Sequence, residues 1–402
     1  MPDQLFSWLP AKPTGDVVTL LVLGLLLAAG VLGASLCRRL LRVPFITGCL
    51  ISGLVIGPSG LNLLTQSALS EFRFIIDIAL GLVLFELGRR IDVRWLLRER
   101  WLLVTGLSVS ALTFTALFLG LTGFGMATLP AGMAASIGIT SSPAVALLLV
   151  RELKSEGQLT ERMLHLTVLG NVLAILLFAV CLSAHYIQHQ PVWYTAMLNS
   201  SYRILGGCLL GGLAARLLTL PAVLKIESSM QQSTLIIAAI ALVVGLGSTL
   251  GLSSLMALLV MGASTRSTLA IWAIREDELA PINAMLCTIL FVYTGAQISL
   301  RYLPDFASGA LGFIALRTLA MTSTTGLLAW FNGISWKKGM WLGVSLFPMS
   351  GVATLLALHV SVPYPDLGAA LSALMITVLA LLELTGPLVL RLVLKASGEA
   401  KS

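Results

Sequence analysis

Leu169-Gly170-Asn171-Val172-Leu173-Ala174-Ile175 lies at the middle of a long apolar stretch, Leu159 to Ile187, and places one amide near the centre of what reads as a single helix. Just before it, Ser136-Ile137-Gly138-Ile139-Thr140-Ser141-Ser142-Pro143-Ala144-Val145 interrupts a second apolar run with hydroxyls and a proline. Proline removes a backbone donor and clashes with the preceding turn, so this run reads as a broken helix. Irregular backbone at membrane depth is tolerated only where protein buries it or where it lines a cavity. A broken helix beside a helix with a polar midpoint is therefore a pattern for a binding site at the bilayer midplane.

The surrounding composition fits a membrane setting. The chain has 402 residues, 57% of them hydrophobic and only 11% charged, with a mean hydropathy of +0.96. A soluble chain would carry about twice that charge. The net charge of +7 does not indicate nucleic acid, because Lys and Arg fall in short loops between apolar spans. The five cysteines all sit inside apolar spans without CxxC spacing and read as small core residues. Neither these nor the four histidines (His165, His185, His189, His359) form a metal-ligand set. No phosphate-binding loop, dinucleotide fingerprint or nucleophile triad occurs, so no cofactor and no enzymatic activity is expected. The first apolar run is followed, not preceded, by its basic cluster, unlike a signal peptide.

About thirteen transmembrane helices can be drawn, near residues 16–37, 44–62, 71–88, 100–123, 129–150, 162–185, 196–219, 232–249, 252–267, 281–300, 308–331, 338–360 and 366–394. The fold class is thus an all-α polytopic membrane protein. Basic residues alternate between loops: Arg38 and Arg39, Arg89 and Arg90, Arg151 and Lys154, Arg216, Arg266, Lys337 and Lys338, and Arg391 and Lys395 share one side. This bias predicts an N-terminus outside and a C-terminus in the cytoplasm. Landmarks of spans two to six recur in spans nine to thirteen. Gly48…Gly57 answers Gly262, Leu84-Phe85-Glu86-Leu87-Gly88 answers Phe291…Gly295, and Thr140…Pro143 answers Phe347-Pro348-Met349-Ser350-Gly351. An odd offset of seven spans inverts the second copy, giving inverted repeats with two broken, crossing helices.

These landmarks resemble the cation:proton antiporter superfamily, the sodium/hydrogen exchanger-type membrane domain, in the branch of the bacterial potassium-efflux and sodium/proton antiporters. The pieces that carry the resemblance are Val43-Pro44…Gly48…Gly57-Pro58-Ser59-Gly60, Leu84-Phe85-Glu86-Leu87-Gly88…Asp92, Thr140-Ser141-Ser142-Pro143, Leu159-Thr160-Glu161-Arg162 and Glu383-Leu384-Thr385-Gly386-Pro387. The resemblance implies one such domain over residues 12–395. Scaffold helices would cover about 16–88 and 232–300, core helices about 100–185 and 308–394, and a linker helix about 196–219, with no soluble regulatory domain. It also implies a homodimer in a bacterial inner membrane, whose core moves against the scaffold like an elevator. The chain departs from the family in the middle of span six. Gly170-Asn171 replaces a pair that usually contains an acid, and Pro348-Met349-Ser350-Gly351 lacks the charges relatives carry.

Charges inside a bilayer are costly and mark candidate sites. Arg317 lies near the middle of span eleven, and the resemblance puts it in the core. Its guanidinium stays charged, so it can hold charge but not shuttle a proton. Glu383 in span thirteen is the expected counter-charge and the expected proton carrier; a purely structural ion pair is the alternative. Asp77 stands one turn after Arg73, as either a proton-coupling acid or an (i, i+4) partner. Glu86 reads as locally paired with Arg89 and Arg90. Asn171, with Thr140, Ser141, Ser142 and Ser350, offers neutral oxygens to a dehydrated cation, or else Asn171 is a helix–helix hydrogen bond.

The expected function is exchange of a monovalent cation (Na⁺ or K⁺) for protons. The alternatives are an uncoupled or transport-silent homologue and a sodium-coupled carrier of a small organic solute. The expected partners are those ions, the lipid bilayer and a second copy of the chain, without nucleic acid.

Overall fold

A computed structural model describes residues 15–41, 43–65, 69, 71–90, 99–189, 193–218, 229–269, 276–298, 303–349, 352–354, 356–357 and 365–400. Among them there are helices and no strands. In chain order these are α1 (Gly15–Leu41), α2 (Phe45–Ile56), α3 (Arg73–Arg90), α4 (Arg100–Gly123), α5 (Thr128–Gly138), α6 (Pro143–Glu152) and α7 (Gln158–His189). There follow α8 (Trp193–Leu217), α9 (Ser229–Thr249), α10 (Ser254–Leu269), α11 (Glu276–Gln297), α12 (Leu303–Leu327), a 3₁₀ turn (Trp330–Asn332), α13 (Trp336–Ser345) and α14 (Pro365–Ala396). Seven segments of the described residues are long and apolar enough to cross a membrane, among them Arg100–Gly123, Gln158–Cys181 and Ala373–Ala396. Shorter apolar helices include Phe45–Ile56 and Ile282–Gln297.

The chain divides into two compact units: Met1–Asp77 with Ala284–Ile298, and Ile78–Asn283 with Ser299–Ser402. In the first, α1 packs along α2. Small residues allow this, since Gly48 leaves no room for a side chain against the backbone of Ala34. In the second, α4, α5, α7, α12, α13 and α14 pack on one another, and α8 packs against α7, α9 and α10. The core of this unit is made from Leu117, Ala135, Ile137, Phe313, Met349, Met375 and Val378, all nearly free of solvent. Leu107, Leu119, Leu319 and Leu392 are exposed on the outside of this unit, as a surface that meets lipid requires.

The breaks form where the sequence forbids continuous helix. α5 ends at Gly138, Thr140–Ser142 are non-helical, and α6 restarts with Pro143 at its first position. Ser142 caps α6: its hydroxyl accepts the Val145 N–H at 3.3 Å. α13 ends at Ser345, Phe347–Met349 are non-helical, and helix resumes within 352–354. Ser350 lies outside the described residues.

Candidate functional site

Both breaks meet inside the second unit. The Ser142 N–H donates to the Pro348 carbonyl at 2.8 Å, and the Ser141 hydroxyl donates to the Leu346 carbonyl at 3.0 Å. The Thr140 hydroxyl turns back to the Ile137 carbonyl at 2.8 Å. The hydroxyls read in the sequence as candidate ion ligands thus hold the crossing together, each leaving oxygen lone pairs in reserve.

Helix interruption leaves carbonyls without donors at the ends of α5 and α13, and both ends carry partial negative charge. Arg317, fully buried on α12, satisfies both at once. Its Nε donates to Gly138 O at 2.7 Å, and its Nη2 to Thr140 O at 2.6 Å and Leu346 O at 3.0 Å. Its Nη1 donates to Phe347 O at 3.0 Å. The planar fork of a guanidinium suits four carbonyls from two chain segments in a way an ammonium does not. This corrects the expected pairing with Glu383. Among the described residues the Arg317 charge is balanced by carbonyl dipoles, and it forms no ion pair.

α7 crosses the first break at Gly170 and Asn171. The Asn171 Nδ2 donates to the Ser141 carbonyl at 2.9 Å. A carbonyl can only accept, so this bond fixes which way the amide points. Asn171 Oδ1 is then buried with no hydrogen-bond partner among the described residues, in a side chain only 1% exposed. A buried acceptor without a donor costs about 1–3 kcal/mol, which makes this oxygen a candidate ligand atom. The Asn171 nitrogen thus ties α7 to the first break.

Glu383 is 6% exposed and makes no hydrogen bond or ion pair among the described residues. One turn further on, Gly386 packs on Pro348, where an added Cβ would lie 3.0 Å from the Pro348 Cα. Pro387 lies inside α14 and has no N–H, so the main-chain carbonyl of Glu383, four residues back, loses its helical donor. The carboxyl and the freed carbonyl thus belong to the helix turn that leads to the second break.

Asp77 belongs to the first unit. It feels the charge of Arg73, but no ion pair joins them among the described residues. The structure therefore gathers Thr140, Ser141, Ser142, Asn171 and Arg317, with Glu383 on the helix that packs against the second break.

Three contributors escaped the sequence reading. The carbonyls of Gly138, Leu346 and Phe347 carry no side-chain signature; an Arg in an apolar span with no acid to match it was the available signal. Glu399, after α14, caps the start of α7. Its Oε1 accepts the Leu159 N–H at 2.9 Å, and its Oε2 accepts the Thr160 N–H at 2.8 Å and the Thr160 hydroxyl at 2.9 Å. Arg162 reaches Asn332 Oδ1 at 3.1 Å, and Asn332 Nδ2 reaches Thr105 Oγ1 at 2.7 Å, tying α7 to the 3₁₀ turn and α4.

The sequence model of the family described as "Sodium/hydrogen exchanger, transmembrane" matches residues 22–396. A curated relative, the Na(+)/H(+) antiporter NhaS5 of Synechocystis, is 28% identical over 202 residues. That match covers 49% of this chain and spans 27% of the relative's length. Among solved structures, the sodium proton antiporter MjNhaP1 of Methanocaldococcus jannaschii at pH 8 superposes with a TM-score of 0.72 at 18% identity, covering 96% of this chain and 98% of that one. A second structure of the same antiporter gives 0.71 at 17% identity, with 95% and 98% covered. At such identity the likeness shows a shared fold. The match over nearly all of its length makes the chain an integral membrane protein that belongs to the sodium/hydrogen exchanger transmembrane family.

Proposed function

We propose that the chain exchanges a monovalent cation, Na⁺ or K⁺, for protons by alternating access at the crossing of its two breaks, in the plasma membrane. The observation that carries this reading is the Asn171 amide, whose donor is held by Ser141 O while its buried oxygen has no partner among the described residues. A dehydrated monovalent cation satisfies that oxygen, with the lone pairs of the Ser141 and Thr140 hydroxyls and the freed carbonyl of Glu383 as further ligands. Arg317 is bound up by four carbonyls, so it neutralises the half-helix ends without competing as a mobile charge. Glu383 is the proton carrier: ionised when the cation is present, protonated when it is absent, so that either occupant leaves a site of similar charge for the crossing. The antiporter names of the relative and of the solved structures agree with this reading.

The test is pH-gradient-driven uptake of ²²Na⁺ or ⁸⁶Rb⁺ by proteoliposomes. Wild type accumulates one of them. Asn171→Leu, which removes the empty oxygen and strands Ser141 O, accumulates neither while remaining folded. Uptake by Asn171→Leu at the wild-type rate would contradict the assignment.

One observation favours a second reading. No carboxylate stands at Gly170-Asn171, so a cation pathway without proton coupling is the alternative. In that case uptake follows the cation gradient and ignores pH, and Asn171→Asp restores the pH response.

A further inference from the structure

One ion pair among the described residues lies away from the crossing. Glu86 on α3 is buried, and its Oε1 stands 3.0 Å from Arg151 Nη2 at the end of α6. Its Oε2 accepts the Asn283 amide of α11 at 2.8 Å. This differs from the expected local pairing: the Arg89 guanidinium lies over the Phe85 ring, 6.0 Å from its centroid, and the Arg90 side chain lies outside the described residues.

The two sides of this pair are built differently. α3 is locked to α10 backbone against backbone, since a Cβ on Gly88 would strike the Leu259 carbonyl and one on Gly262 would strike the Phe85 carbonyl. α10 is locked to α8 in the same way, at Gly211 against the Ala257 carbonyl. These contacts leave no slack. Arg151, by contrast, reaches Glu86 through a long flexible stem and is 29% exposed. It stands eight residues after Pro143, about 12 Å along α6 from the break. When the pair opens, Glu86 keeps its bond to Asn283 and Arg151 can return to solvent. Separation therefore hydrates Arg151 and leaves Glu86 one hydrogen bond, so the pair opens at less cost than one with both charges buried.

We propose that Glu86 and Arg151 form a conformational latch between the α3–α10–α8 layer and the half-helix α6, closed in the conformation seen here and open in the other transport state. The proposal rests on the alternating-access reading above. Closing the latch holds α6, and through Ser142 the crossing itself, on one side of the cycle. Opening it lets α6 move relative to α3.

The test uses Glu86→Cys with Arg151→Cys in a background lacking Cys37, Cys49, Cys181, Cys208 and Cys287. A bifunctional thiol reagent with a short spacer links the pair, and a monofunctional reagent serves as control. Linked protein stops exchanging cation, and reduction restores exchange. Exchange at the unlinked rate with the link in place would overturn the latch. If the unlinked protein and wild type exchange no cation at all, the transport reading fails instead. The latch is then judged by pulsed EPR between spin labels at Arg89→Cys and Glu152→Cys. The latch predicts two distances, with Glu86→Gln moving their ratio toward the longer by roughly tenfold. A single distance that Glu86→Gln leaves unchanged overturns it.

Discussion

Arg317 offers the sharpest energetic test, because one side chain serves four main-chain carbonyls: Gly138 and Thr140 at the first break, Leu346 and Phe347 at the second. A carbonyl stranded in the interior costs about 1–3 kcal/mol. Arg317→Met strands three of them, since Leu346 O keeps the Ser141 hydroxyl, and removes the charge that faces two helix C-termini, so the loss is about 3–9 kcal/mol before the site relaxes. Arg317→Lys keeps the charge but has only three donors on one atom. Leu346 O keeps the Ser141 hydroxyl, but one nitrogen cannot span the other three carbonyls as the planar fork does, and one bond lost in this way costs about 1–3 kcal/mol. Unfolding of purified protein in mixed micelles by increasing SDS gives the order wild type, then Lys, then Met, with the larger gap between Lys and Met. Cation uptake should follow the same order. If Met and wild type unfold together, the carbonyls are satisfied by something else and Arg317 does not hold the crossing. If Lys is as unstable as Met, the fork geometry matters and the charge does not.

Other consequences can be measured alongside. Glu399→Ala removes three hydrogen bonds from the start of α7, which should cost about 1–2 kcal/mol as lost caps do and raise amide exchange at Leu159 and Thr160; unchanged exchange there would remove Glu399 from the account. Gly386→Leu has no room against Pro348 and should cost about 1–3 kcal/mol by overpacking while abolishing uptake. A stable, active Gly386→Leu protein would show that α14 does not bear on the second break.

How legible this was depended on which atoms did the work. Asn171 and Thr140–Pro143 were readable because a polar amide and a proline are conspicuous in apolar runs, and the structure brings them together. Arg317 was readable as a buried charge, yet its partners were not, since carbonyls look alike in every residue and only the ends of broken helices leave them free. Counting charges therefore matched Arg317 to Glu383, when backbone dipoles had already neutralised it. Glu86 misled in the opposite way. Two arginines stood close in sequence, but a distant one on α6 took the carboxylate while Arg89 settled on an aromatic ring. The helical character was legible from the apolar runs, whereas the shorter helices, such as Phe45–Ile56, were not, because every run was drawn near one bilayer thickness.

The central claim is that cation and proton compete across Asn171 and Glu383. The most direct measurement loads proteoliposomes with a pH-sensitive dye, imposes a proton gradient and adds Na⁺, K⁺ or Li⁺ to wild type, Glu383→Gln and Asn171→Asp. The account predicts that wild type dissipates the gradient on addition of Na⁺ or K⁺ and that Glu383→Gln does not, although it folds. A wild type silent to every cation, with Asn171→Asp responding, would contradict it and leave a fold competent for exchange whose natural sequence has given up proton coupling.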